Sequence, residues 1–150
     1  MIQIEAFRAK SGTPYAVVFY DEEHALISDS WLGKFHSDEE FKRVLAFIVG
    51  EIERRGAKLW LADLRHLNRS LLDFQDWLAE EISPRAFEAG LEREAVVLPL
   101  RETFDTTPDE FDVVGSASGA IDRIADDRVR FFFGREEART WLLRGEIDRS

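Results

Sequence analysis

The feature that most constrains this chain is a change of hydrophobic period between residues 37 and 100. In HSDEEFKRVLAFIVGEIERRG, Phe41, Val44, Leu45, Ile48 and Ile52 recur at helical spacing and form one apolar stripe. Ser37 with Glu40 three residues later reads as a capping box, and Asp38 and Glu39 suit the positive end of the helix dipole. Arg54 and Arg55 fall in the last turn, and Gly56 is placed to close the helix in a left-handed conformation. KLWLADL (58–64) follows at once as a nearly continuous apolar run, the pattern of a strand covered on both faces. A second helical pattern, carried by Leu71, Phe74, Trp77, Leu78 and Ile82, runs up to Pro84, which is expected to interrupt it, and RAFEAG adds a further turn ending at Gly90. EAVVLPL (94–100) then reads as another buried strand.

On either side of this unit the spacing is simpler. MIQIEAF alternates as a strand, SGTP turns the chain, and YAVVFY and ALISDSW form a hairpin around DEEH. Segment 101–127 lacks a single period and reads as a loop, as a short helix around 108–113, or with a second short helix at 119–125. RVRFFFG (128–134) is a strand, and REEARTWLLRG (135–145) is a final helix with acids early and Gly145 at its end. A strand meander followed by βαβ units predicts one α/β domain over residues 1–150, with a mixed sheet and helices mainly on one face.

Composition narrows what such a domain does. The 30 acidic and 20 basic side chains leave a formal net charge of −10, which disfavours nucleic acid and anionic membrane surfaces as partners. There is no cysteine, so disulfides, thiolate metal sites and cysteine nucleophiles are excluded. No apolar run approaches the ~18 residues of a membrane span, and the N-terminal stretch carries Glu5, Arg8 and Lys10 rather than a secretory apolar core. A cytoplasmic protein is the expectation.

Trp31 and Gly33 after the hairpin, KLWLADLR leading to a second helix with Ser70 at its start and a Trp inside it, PRA, REAVVLPL and the closing FFFGREEARTWL follow one another in an order that resembles the STAS-like proteins. These are related to the sporulation anti-sigma factor antagonist and are loosely grouped with Sec14-like lipid-binding domains. The resemblance implies a mixed sheet with helices packed mainly on one side, and a non-enzymatic regulatory module that binds another protein. It also implies a serine, phosphorylated to control partner binding, at the start of the helix after the central strand. Ser70 is the nearest positional match, although this chain reads Asp63-Leu64-Arg65-His66 where that family's antagonists carry Asp-Ser-Ser-Gly.

The residues themselves offer several candidate sites. Ser70 would place a phosphate at a helix N-terminus, or would simply cap that helix with Asp73 in its first turn, a contribution of roughly 1 kcal/mol. Asp63, Arg65 and His66 stand where the strand is expected to emerge, the usual place for ligands in open α/β sheets. Asp63 and His66 could form a general-base pair or two metal ligands, but no third partner lies at a metal-binding or catalytic spacing, and Asp63 and Arg65 are expected rather to satisfy loop backbone or pair with neighbouring charges. Arg85, Arg93 and Arg101 could gather an anion beside Arg65, or serve ordinary ion pairs. The aromatics read first as core. Phe131, Phe132 and Phe133 put apolar rings on both faces of one strand, which calls for cover by a helix, by segment 101–127, or by a partner chain, including a second copy. GSASG (115–119) lacks the Lys and the preceding strand of a phosphate loop, so no nucleotide cofactor is expected. A protein-binding module is therefore the leading expectation, with a small apolar ligand or lipid carrier as the alternative.

Overall fold

The structure is a computed structural model that describes residues 1–33, 35–99 and 112–145. Its frame is one mixed sheet whose strands lie in chain order. β1 (Ile2–Arg8), β2 (Pro14–Asp21) and β3 (Leu26–Trp31) form the antiparallel meander, and β4 (Leu59–Asp63), β5 (Arg93–Val97) and β6 (Val129–Phe132) continue it in parallel from β3. The expected α/β architecture is therefore observed.

α1 (Asp38–Arg55) forms as its sequence predicts: the Glu40 backbone N–H donates to Ser37 Oγ at 3.2 Å, and Gly56 closes the helix at φ +71°. The Glu40 carboxylate accepts from the His36 N–H, one residue earlier than in the usual reciprocal box. The connection from β4 to β5 departs from expectation. Residues 72–88 form one helical run: a tight turn at Leu72–Phe74, α2 (Gln75–Trp77), a wide π turn at Leu78–Ile82, and α3 (Ser83–Glu88). Pro84 does not break it. Its missing N–H and its ring are accommodated because the turn before it widens, the Ser83 N–H reaching back to the Leu78 carbonyl five residues earlier.

α4 (Val113–Ile124) replaces the short helix expected at 119–125, and its first residue leaves the helix expected at 108–113 almost wholly outside the described residues. Asp112 caps α4 by accepting from the Gly115 N–H at 3.0 Å. The small residues of GSASG let this helix lie close to α2: a Cβ on Gly119 would stand 2.5 Å from Gln75 Nε2. α5 (Arg135–Arg144) ends at Gly145, as read from the sequence.

α1, the 72–88 run and α4 cover one face of the sheet over the larger core. α5 alone covers the other, packing Ala138, Trp141 and Leu142 on Leu59, Leu61 and Val97. Phe132 joins that smaller core and Val129 is buried beside α4 on the opposite face, whereas Phe131 and Phe133 are 43% and 44% exposed among the described residues. Ser28, buried on the α5 side, has no hydrogen-bond partner for its hydroxyl among the described residues. Ser28→Ala is therefore expected to raise stability by about 1 kcal/mol, because a buried unpaired hydroxyl keeps its desolvation cost. Urea unfolding measures this, and a lower midpoint for the variant would contradict it.

Candidate functional site

At the exit of β4, Asp63 and Arg65 pair as loop charges are expected to, and His66 does not join them. Asp63 is buried on the α5 face, where Arg65 binds it through Nε and Nη2, both at 2.9 Å, and Arg135 at the start of α5 binds it at 3.0 Å. Burial pushes the Asp63 carboxyl up, but the hydrogen bonds and charges of Arg65 and Arg135 outweigh it and hold the group below its ordinary value. His66 makes no hydrogen bond to Asp63. Its backbone carbonyl accepts from the Gly33 N–H at 2.8 Å, and its side chain is exposed. No general-base pair forms, because Asp63 is held by two arginines while the His66 side chain is exposed.

Ser70 is not the N-cap it was expected to be. It precedes the helical run, and its hydroxyl accepts from the Leu72 N–H at 3.1 Å while remaining partly exposed. The Leu71 N–H is satisfied instead by Ser116 Oγ of α4 at 2.8 Å. Asp73 is exposed in the first turn. The arginines do not converge on an anion: Arg85 pairs with Glu53 at 2.9 Å, and Arg93 donates to the Leu142 carbonyl at 2.7 Å near the end of α5. Arg101 lies outside the described residues. Asp21, Glu23 and His24 bring ligand atoms within 4.8 Å of one another, a grouping hidden in the sequence inside an ordinary turn; His24 and Arg139 already engage Asp21, at 2.8 and 3.8 Å.

The site that does assemble lies under the helices. Between the central strands, α1, the π turn and α4 is a partly open cavity of about 60 Å³, measured at the centres of a water-sized sphere. That is several times what one water requires. Its floor is laid by the period of two in β3, β4 and β5, which brings Asp29, Trp60, Glu94 and Val96 to the same face of the sheet. Leu78, Ile82 and Ser83 of the widened turn make one wall, and Ala117, Ala120 and Ile121 of α4 another. Among the described residues the lining is apolar apart from Asp29, Ser83 and Glu94, and it contains no Lys, Arg or His.

Two carboxyl groups in such surroundings demand an explanation. Asp29, 1% exposed, accepts from the indole N–H groups of Trp31 and Trp60, each at 2.7 Å. Burial raises its pKa; the two indoles oppose the rise, the charge of Asp63 reinforces it, and the group settles at about 6. Glu94 is 9% exposed and has neither a hydrogen bond nor an ion pair from its side chain among the described residues. Burial, with the neighbouring Asp29 charge, pushes its carboxyl up to about 8. At neutral pH the cavity therefore holds a mostly ionised aspartate beside a mostly protonated glutamic acid, the paired environment that separates two carboxyl groups in functional sites.

Neither acid is among the candidates drawn from the sequence. The available signal is phase: Ile27, Asp29 and Trp31 occupy one face of a strand whose other members on that face are apolar, so Asp29 is in register with the buried stripe. Glu94 opens a strand read as covered on both faces, so it too had to be buried.

Comparison with protein-family models, with curated proteins and with solved structures finds no match to this chain. Among the described residues, no helix is long and apolar enough to cross a membrane.

Proposed function

We propose that this protein binds a small, largely apolar molecule in the cavity beneath its helices. The observation that carries the reading is Glu94, a buried carboxyl group that lines an apolar space and has no partner among the described residues. An unpaired buried acid costs stability, and such a cost is retained where the group serves a ligand. A mostly apolar lining with a few convergent polar groups is also the usual composition of small-molecule sites. The wide turn at Leu78–Ile82 fits the same reading, since turns of this kind concentrate at functional sites.

The test is native mass spectrometry for a co-purifying ligand, with NMR of the Trp31 and Trp60 indole N–H groups during titration with short apolar molecules. Ala120→Leu, which fills the cavity from α4, should abolish the shifts while the circular dichroism stays unchanged. A bare protein whose two indole signals ignore every molecule tried would end the proposal.

A second reading is the protein-binding module suggested by the STAS-like resemblance. It is favoured by the outer side of the segment after β4, where Arg65, His66 and Asp73 are exposed, Ser70 is partly so, and Leu72 stands 65% exposed beside it. A phosphate on Ser70 would compete with the Leu72 N–H contact and place charge next to Leu71, which lines the cavity. On this reading Ser70→Asp changes capture of a partner from lysate without changing the melting temperature. Identical capture by wild type, Ser70→Asp and Ser70→Ala would remove it.

A further inference from the structure

Resting on the cavity being a binding site, we infer that the polar end of its ligand is a basic nitrogen, an organic ammonium seated between Asp29 and Glu94 with its alkyl part against the apolar walls. Three observations lead there. The cavity holds two carboxyl groups, and among the described residues no cationic side chain lines it to neutralise either. A buried carboxylate is stable only when paired or well hydrogen-bonded; Asp29 has its two indoles, whereas Glu94 has no partner among the described residues. Trp31, Trp60 and Phe41 add aromatic rings to the same lining, and aromatic faces attract ammonium groups in desolvated surroundings. A carboxylate ligand would bring a third acid into the same space and is excluded by repulsion.

The chemistry of capture follows. With an ammonium in place, Glu94 gives up its proton to solvent and becomes the ligand's counter-ion, so binding releases about one proton per site at neutral pH. Among the described residues, Asp29 is the only other titratable group in the lining: α1, the 72–88 run, α4, β4 and β6 present apolar side chains, or Ser83, to the cavity. Glu94 ionises at about 8 in the empty protein, so affinity for the ammonium should rise about tenfold between pH 7 and pH 9.

The probes are n-butylammonium, 1-butanol and butyrate, which share one alkyl chain and differ in head-group charge. Each is titrated into wild-type protein and followed at the Trp31 and Trp60 indole N–H signals. We expect n-butylammonium to bind about tenfold tighter than 1-butanol, the gain of a charge-assisted hydrogen bond over a neutral one. We expect butyrate not to bind, and Glu94→Gln to erase the preference for the ammonium while 1-butanol still binds. If 1-butanol binds as tightly as n-butylammonium, or butyrate binds more tightly than either, the ammonium assignment is wrong and the binding site survives. Failure of all three to bind defeats both. Should Glu94→Gln not fold, the wild-type series and its pH dependence decide alone.

Discussion

Between pH 4 and pH 8 the Glu94→Leu variant is expected to gain about 4 kcal/mol of stability relative to the wild-type chain. The sign follows from the proton balance. Folding raises the Glu94 pKa from 4.5 to about 8, so between those values the folded chain holds a proton that the unfolded chain has lost. Stability then falls as pH rises, by about 1.4 kcal/mol per pH unit for one such group, and levels off above pH 8. Asp29 acts in the same direction up to about 6. Asp63 acts in the opposite direction: its lowered pKa supplies stability that is present above its unfolded value near 3.8 and is lost as pH falls through the folded one. The wild-type chain should therefore be most stable in mildly acidic solution, between roughly pH 4 and 5. Urea unfolding of both proteins from pH 4 to 9 measures this directly. Parallel curves for the two would mean that Glu94 does not stay protonated in the folded state.

Trp60→Ala is expected to cost about 4 kcal/mol, and Trp60→Phe about 2 kcal/mol. The first removes a side chain that is 2% exposed at the centre of the sheet and leaves a void continuous with the cavity. The second keeps most of the ring volume but deletes the N–H that Asp29 accepts at 2.7 Å. The deficit of Trp60→Phe should also grow from pH 5 to pH 8, because the lost donor matters more to the ionised than to the protonated Asp29. A deficit that is the same at both pH values would show that the indole does not favour the anion.

How far such features are legible in the sequence depends on whether local rules decide them. α1 is legible because its cap, its stripe and Gly56 agree within one stretch of chain, and β4 because a short apolar run between two helices has few alternatives. Ser70 and Pro84 were misjudged because helix starts and stops are also decided by distant partners. Ser70 does accept from the Leu72 N–H, but Ser116, far along the chain, takes the Leu71 N–H and the helical run starts only at Leu72, while a widened turn absorbs the proline. The β4 exit looked like a site because charges end an apolar run there, yet Asp63 turned to a helix that the sequence places more than seventy residues later. Asp29 and Glu94 were hidden for the opposite reason. A single acid inside a strand looks like a solvent-facing residue until the pairing of β3, β4 and β5 shows which face is covered.

The π turn at Leu78–Ile82 has a consequence for how the protein tolerates change in length. A π turn amounts to one residue more than a regular helix needs, and each helical residue advances the chain by about 100°. Removing any one residue between 78 and 82 would let the helix close in its ordinary geometry, and because a regular turn covers the same rotation with one residue fewer, α2 and α3 would keep nearly the phase they have. The change would be confined to the wall of the cavity, where a side chain beside Asp29 and Glu94 would be lost or displaced. A one-residue deletion at this point would thus leave a helix of better regularity, still seated against α1, over a cavity altered at that wall alone.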